Sequence, residues 1–209
     1  MSVRAVPWWG IVSSAVPPVL LAAGWTVAAV LQSRPYDSLG DTVSALAGIG
    51  ATDRWVMTLA FAVAGACEIV TGLALRPARP AGRLILMAGG TAGVLVAAFP
   101  VRMGDGATGS HIVWSVVGLF ALSVWALAAS PSGHAVPWAL RPEVTVGVSV
   151  LLLALLTWFG LELVMSAGHA GLAERVLGEA QSGWPFVVIM SCRHPVPVMM
   201  RYRLLHGYR

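Results

Sequence analysis

Six stretches of the chain are apolar over about the length that a helix needs to cross a membrane, roughly 20 residues. Their sequence predicts an all-α protein, a polytopic membrane helix bundle of about six transmembrane helices that forms a single domain over residues 1–209. The predicted spans are Trp8–Leu31, Trp55–Leu75, Arg83–Pro100, His111–Ala129, Glu143–Ser166 and Leu172–Cys192.

Two spans and one connection depart from a plain apolar run. The third span is short and rich in glycine, which suits close packing between helices. The sixth is interrupted by Glu174, Glu179 and Gln181. The connection Pro35–Gly50, after the first span, predicts a short interfacial or re-entrant helix that covers one mouth of the bundle.

Composition supports a membrane protein. The chain is 57% hydrophobic and 11% charged, with a mean hydropathy of +0.79, whereas soluble domains carry about 25% charged residues. All 13 basic residues are arginines, and they lie between apolar runs rather than in a cluster, so nucleic acid is not an expected partner. The first run lacks a cleavage site and is expected to be retained as a span.

The arginines are distributed unequally between the two sides of the predicted bundle. Nine lie on the side of both termini and four on the other side. The positive-inside rule predicts an integral protein of the plasma membrane with cytoplasmic N- and C-termini. Most acids fall on the opposite, outer side: Asp37, Asp41, Asp53, Asp105 and Glu174. Polar loops alone would also explain these acids.

Several segments, in order along the chain, resemble a known bacterial family. They read "YDSLGDTVSALAG", "RWVMTLAFAVAGACEIVTGLALRPA", "GRLILMAGGTAGVLVAAFP" and "GLAERVLGEAQSGWPFVVIMSCR". The chain resembles the membrane proteins catalogued as domain of unknown function 998. The resemblance implies a compact helical bundle, common in actinobacteria, without a general assigned activity. It also implies a histidine at the position of Glu68, so this chain has an acid where the family has a base.

Glu68 is the first candidate catalytic residue, because it lies deep in the second span. An ionised carboxylate costs several kcal/mol in hydrocarbon, so the side chain is expected to face the bundle interior. A neutral carboxylic acid in an apolar cavity is suited to donating a proton. The alternative is a structural hydrogen bond, for example to Thr71.

Three further acids are candidate catalytic residues. Glu162 shares a helix face with Trp158, and an indole wall favours the protonated form of an acid; an interfacial pair with Arg54 or Arg175 is the alternative. Asp37 and Asp41 lie four residues apart and would share a face in a helical turn. For them the alternative is a cap at the start of a short helix.

Aromatic residues predict the substrate-binding wall. Nine of the 17 aromatic residues are tryptophans, and indole faces attract cations. The candidate binding residues are Trp25, Trp114, Trp158, Phe159, Trp184 and His111, with packing or lipid contact as the alternative for each tryptophan. No metal-ligand, phosphate-loop or nucleophile motif is present, so neither a metal nor another cofactor is expected. Cys67 and Cys192 show no metal or redox spacing.

These features favour a membrane-embedded, metal-independent terpene cyclase. It would protonate a prenylated, lipid-like substrate from a carboxylic acid and stabilise the carbocation with aromatic faces. Intramembrane acids also serve as proton relays, so a proton-coupled transporter or small channel is an alternative. A non-catalytic lipid-interacting protein is the third. The oligomeric state and the identity of the lipid cannot be read from the sequence.

Overall fold

The computed structural model describes residues 6–102, 109–133 and 136–193. Of the arginines and acids that the sequence analysis assigned to one side of the bundle, Arg4, Asp105, Arg201, Arg203 and Arg209 lie outside these residues. The described chain forms six long helices and one short helix. They are α1 (Trp8–Val30), α2 (Val43–Leu46), α3 (Trp55–Ala74), α4 (Pro80–Ala98), α5 (Gly109–Val124), α6 (Pro142–Met165) and α7 (Ala170–Ser191). Short 3-10 turns follow α5 at Trp125–Ala128 and precede α6 at Trp138–Leu140.

Two helix starts differ from the sequence prediction for the same reason. α4 begins at Pro80 and α6 at Pro142, a little before the predicted Arg83 and Glu143. Proline suits the first turn of a helix, because its fixed φ matches the helix and its missing N–H would have had no partner there. The short helix α2 lies within Pro35–Gly50, where the sequence predicts one.

Within the described residues, five helices are long and apolar enough to cross a membrane: α1, α3, α4, α6, and α5 together with its 3-10 extension. The sixth predicted span corresponds to α7, which has 22 residues but lacks the apolarity. Glu174, Arg175 and Glu179 account for this difference. The chain is therefore a polytopic membrane helix bundle.

The six long helices form a closed ring. Each packs against two neighbours in the order α1, α3, α4, α5, α6, α7 and back to α1. The closest approach joins α3 to α4, where a Cβ added to Gly65 would lie 2.4 Å from the carbonyl oxygen of Gly90. Exposed aliphatic side chains such as Val19, Leu59 and Val150 face away from the ring, as expected for a surface in contact with lipid.

The two ends of the ring are built differently. The terminal end is the end at which α1 begins and α7 finishes. It is filled by an apolar cluster that includes Val6, Leu75, Trp125, Leu140 and Ile189. The α2 end is the opposite end, formed by the connections α1–α3, α4–α5 and α6–α7. There α2 lies against α1, α3 and α7.

Candidate functional site

A cavity of about 850 Å³ lies inside the helix ring and extends to the α2 end. This volume falls within the range of about 300–1,000 Å³ that is typical of ligand pockets. All six long helices and the start of α2 contribute side chains to its wall. The terminal end is closed by the apolar cluster, so the cavity is a chamber within the membrane span.

Small residues leave the space for this cavity. On one side, Gly65 and Gly90 bring the backbones of α3 and α4 into contact, and Gly89 lets the Leu122 side chain of α5 pack onto α4. Gly160 on α6 and Gly178 on α7 line the cavity on the other side, and a Cβ added to either would meet no atom within 4 Å. The glycines thus join helices on one side of the ring and leave open volume on the other.

Glu68 is the buried acid of the cavity wall. Its side chain is 4% exposed, and its Oε2 has no hydrogen-bond partner among the described residues. The backbone of Gly90 crosses close to its Cβ and holds that turn of α3 in place. The suggested hydrogen bond to Thr71 is not formed, because the Thr71 hydroxyl pairs with Ser13 at 2.9 Å. An unpartnered carboxyl group that lines a cavity can reach a ligand there.

Aromatic rings surround the middle of the cavity. Of the predicted binding residues, Trp25, Trp114 and Phe159 line it, and Phe61 and Phe120 contribute further rings. These side chains come from α1, α3, α5 and α6, so the rings reach the cavity from several directions, and Phe120 is at the same time exposed at the bundle surface. Such a wall can stabilise positive charge in a ligand while offering few hydrogen bonds.

His111 also lines the cavity, at the start of α5. It is buried, and its Nδ1 lies 2.9 Å from the carbonyl oxygen of Phe99. A carbonyl oxygen can only accept, so Nδ1 carries the proton of this hydrogen bond. The contact fixes the ring at the point where the chain leaves α4 and returns into α5.

The roof of the cavity at the α2 end is held by a carboxylate. Glu174 accepts hydrogen bonds from the backbone N–H of Val43 at 2.6 Å and from the hydroxyl of Ser44 at 3.0 Å. It thereby satisfies the first N–H groups of α2, as a capping side chain does. Thr42 occupies the N-cap position without a side-chain cap of its own.

Arg175 fastens the same connection to α7. Its guanidinium donates to the carbonyl oxygens of Ser38 at 2.7 Å and Gly171 at 2.8 Å, and to the hydroxyl of Tyr36. It also lies 5.9 Å from the ring centre of Trp25. Burial raises the pKa of Tyr36, although Arg175 acts against this. The phenol therefore stays protonated and donates to the carbonyl oxygen of Asp41 at 3.1 Å.

Asp37 and Asp41, which the sequence predicts as catalytic acids, are not part of the cavity wall. Asp37 accepts from the backbone N–H groups of Leu39 and Gly40, at 3.0 and 3.2 Å. Asp41 accepts from the backbone N–H of Asp37 at 2.8 Å. Both acids are exposed and stabilise a turn. The suggestion that either caps α2 is wrong, because Glu174 does so.

Glu162 also lies outside the cavity wall. Its Oε1 accepts from the indole N–H of Trp158 at 3.1 Å, which confirms that these two residues share a helix face. Its Oε2 accepts from the backbone N–H of His169 at 3.0 Å. Glu162 therefore holds the turn between α6 and α7, and no pair with Arg54 or Arg175 is formed within the described chain.

Trp184 lies at the terminal end, away from the other candidate residues. It packs against the apolar cluster there and meets Trp138 edge to face, with ring centres 6.4 Å apart. Together with Trp158 it is one of two predicted binding tryptophans that do not line the cavity. Trp25 and Trp114 remain as the tryptophans of the wall.

Among the polar residues of the wall that the sequence interpretation did not propose for the site are Gln181 and Arg102. Gln181 is fully buried, and its side-chain nitrogen donates to the carbonyl oxygen of Leu119 and the hydroxyl of Ser123, at 2.7 and 2.9 Å. An amide in the middle of a long helix was the available signal. Arg102 is exposed at the α2 end. No three His, Cys, Asp or Glu side chains of the described chain form a group that could hold a metal ion.

Comparison with known proteins gives a family without an assigned activity. No curated protein and no solved structure matches the chain. A family model described as "Protein of unknown function (DUF998)" matches residues 15–191, which is most of the chain and includes every residue discussed at the cavity. The protein therefore belongs to the DUF998 family.

Proposed function

We propose that this protein is a membrane-embedded terpene cyclase that acts on a prenylated, lipid-like substrate. One observation carries the proposal: the carboxyl group of Glu68, whose Oε2 has no hydrogen-bond partner among the described residues, lines an apolar cavity walled by Trp25, Trp114 and Phe159. A neutral acid in apolar surroundings can protonate an alkene, and aromatic faces can stabilise the cation that forms.

The reaction would conserve every atom of the substrate. The Glu68 carboxyl group gives its proton to the less substituted carbon of the terminal double bond, and the electron pair of that double bond forms the new C–H bond. The adjacent carbon becomes a tertiary cation, which the electron pair of the next double bond attacks to form a C–C bond and a ring. Loss of a proton from the carbon beside the final cation forms a new double bond and returns the proton to the Glu68 carboxylate.

The wall is suited to such an intermediate. A carbocation needs stabilisation without a nucleophile, and indole or phenyl faces supply this at about 2 kcal/mol or more when desolvated. Water would trap the cation as an alcohol. The apolar cluster at the terminal end, with Leu75, Trp125 and Leu140 fully buried, separates the chamber from water on that side.

The same closure supports a cyclase better than a proton-coupled transporter. A proton relay needs polar groups that continue from one face of the membrane to the other. Glu68, Gln181 and Ser182 line the cavity, but the described residues beyond them at the terminal end are mainly apolar. A lipid-binding protein without catalytic activity would use the same cavity and would leave the unpartnered carboxyl group unexplained.

The test is an isomerisation assay with purified protein in lipid nanodiscs. We expect a farnesylated or geranylgeranylated acceptor to give a product of unchanged mass and altered retention. Glu68→Gln should reduce the rate at least about 100-fold, because proton transfer by a positioned group contributes typically 10²–10⁴-fold. It should still bind the substrate.

Glu179→Gln is the matched control. Glu179 also has a buried, unpartnered oxygen but does not line the cavity, so its replacement should leave the rate unchanged. If wild-type protein binds prenylated lipids and isomerises none of them, the cyclase is excluded and the lipid-binding role is favoured.

We further propose that the protein lies in the plasma membrane with the terminal end on the cytoplasmic side. Arg76, Arg79, Arg83, Arg141 and Arg193 lie at this end, and the sequence adds further arginines in both terminal segments. Asp37, Asp41 and Asp53 lie at the α2 end. An excess of arginine marks the cytoplasmic side of a membrane protein.

A further inference from the structure

Four side chains mark the place where the cavity reaches the surface of the bundle. Ile112, Val116 and Phe120 on α5 and Leu163 on α6 line the cavity and are also 49%, 61%, 54% and 50% exposed. The three residues of α5 are spaced by four, so they form one stripe along the helix. The stripe and Leu163 are named the rim.

The two helices that carry the rim meet at Leu119 of α5, which packs with the cluster of Phe159 and Leu177. Gln181 of α7 donates to the Leu119 carbonyl oxygen at the same level. Beyond Phe159, toward the α2 end, α6 presents Gly160 and then Leu163. Gly160 has no atom within 4 Å of an added Cβ, so no side chain fills the space beside it.

The other side of α5 is closed. A Cβ added to Gly89 of α4 would lie 2.7 Å from the Leu122 side chain, and one added to Gly118 would lie 3.2 Å from Ala92. α4 and α5 are therefore in close contact at Gly118 and Leu122. The opening lies between α5 and α6.

Access along the bundle axis is restricted at both ends. At the α2 end, the connection that Glu174 and Arg175 hold to α7 covers the cavity with the buried side chains of Val43 and Leu46, and the exposed Arg102 lies at its edge. At the terminal end the apolar cluster fills the ring. The rim, in contrast, consists of apolar side chains on two membrane-spanning helices, so it faces hydrocarbon rather than water.

We propose that the rim is a lateral portal through which the hydrocarbon chain of a membrane-dissolved isoprenoid enters the cavity. The chain passes between α5 and α6 from the half of the bilayer next to the α2 end. Its polar head stays at the α2 end, where Thr42, Ser44 and Arg102 line the cavity. This inference rests on the proposed function, because it supplies that function with a substrate taken from the bilayer.

A reversible cross-link across the rim tests the portal. Val116→Cys and Leu163→Cys are combined in a chain whose own cysteines are replaced, Cys67→Ala and Cys192→Ala. A bifunctional maleimide with a reducible linker joins the two helices in nanodiscs. Deuterated geranylgeraniol is then added to the bilayer, and the amount bound to repurified protein is followed by mass spectrometry.

We expect the cross-linked protein to take up the probe at least tenfold more slowly than the same sample after reduction. Protein that is loaded before cross-linking should retain the probe until the linker is reduced, which separates a closed portal from a filled cavity. Unchanged uptake and unchanged release in the cross-linked protein would overturn the portal.

A glycine pair keeps the inference testable if the cysteine variant does not fold. Gly160→Phe places a ring beside the rim and should slow uptake about tenfold, whereas Gly147→Phe should not. Gly147 lies on the same helix, has equal space for a side chain and does not line the cavity. Equal uptake by both variants would overturn the portal. Uptake needs no chemistry, so normal uptake without isomerisation would contradict the cyclase alone.

Discussion

Glu68 combines burial, a place in an apolar span and a place on the cavity wall. Glu68 is evident as an acid within an apolar span, because a charge there demands either a partner or a cavity. Its position on the cavity wall agrees with that expectation. Trp158 and Glu162 also meet as their spacing indicates, since residues four apart on a helix are neighbours.

Residues with distant partners are harder to recognise. Glu174 caps α2, which lies more than 120 residues earlier in the chain, and Gln181 reaches α5 across the cavity. The residues next to Glu174 and Gln181 in the sequence do not indicate these contacts. Asp37 and Asp41 attract attention as acids with helical spacing, yet each accepts a backbone N–H of the same turn. Two acids four residues apart can form either hydrogen bonds within a turn or a catalytic pair, and the sequence pattern is the same in both cases.

The contribution of Glu174 can be measured directly. Glu174→Ala removes both acceptors at the start of α2 and leaves buried N–H and O–H groups without partners. Hydrogen bonds to charged groups contribute about 1.5–3 kcal/mol each. Losing both costs about 3–6 kcal/mol, so we expect the midpoint of thermal unfolding to fall by about 6 °C or more, since 1 kcal/mol corresponds to roughly 2–4 °C in a chain of this size.

Glu174→Ala should lower the stability of the α2 connection locally as well as that of the whole protein. Hydrogen exchange at residues 38–46 should increase in Glu174→Ala and not in Glu143→Ala, which removes an exposed acid from the other end of the bundle. Equal exchange in both variants would contradict a capping role for Glu174.

At the scale of elements, hydropathy predicts the helices and glycine predicts their contacts. The five apolar helices appear where the apolar runs are, and the glycine-rich third span packs tightly on both of its neighbours. The sixth predicted span forms the helix α7. Glu174 and Arg175 contact the α2 connection and Gln181 contacts α5, so these polar residues do not interrupt the helix. Hydropathy reports burial in lipid and cannot report burial against other helices.

Two glycines of this bundle should respond oppositely to the same substitution. Gly65→Ala places a methyl group 2.4 Å from the Gly90 carbonyl oxygen, so α3 and α4 must separate. Gly147→Ala, within α6, meets no atom and gains the higher helix propensity of alanine, about 1 kcal/mol.

Thermal unfolding of the two variants in the same detergent checks this prediction. Gly65→Ala should lower the midpoint by several degrees, whereas Gly147→Ala should raise it by about 2–4 °C. A stable Gly65→Ala protein would show that α3 and α4 do not approach as closely as described.

At the scale of the whole molecule, the ring encloses a chamber that is closed at the terminal end and opens toward lipid. Hydropathy could not predict this chamber, because its apolar wall and the lipid-facing surface have the same composition. Only the packing distinguishes them: Gly160 and Gly178 leave space inside, while the cluster around Trp125 fills the terminal end. The arrangement accounts for an acid that lies among apolar residues and is still accessible to a ligand.

The orientation of this chamber decides which half of the bilayer supplies its ligand. If the terminal end is cytoplasmic, the rim takes lipid from the outer half. In the cysteine-free chain, Ser33→Cys lies in the α1–α3 connection at the α2 end, and Ser132→Cys lies in the connection before α6 at the terminal end. Both serines are exposed.

A membrane-impermeant maleimide should label Ser33→Cys in intact cells and Ser132→Cys only after permeabilisation. The positive-inside bias supports this outcome, because arginines flank the spans at the terminal end. The reverse labelling pattern would place the rim in the inner half of the bilayer. The substrate would then have to come from the cytoplasmic leaflet, and the proposed orientation would be wrong while the chamber and its portal would stand.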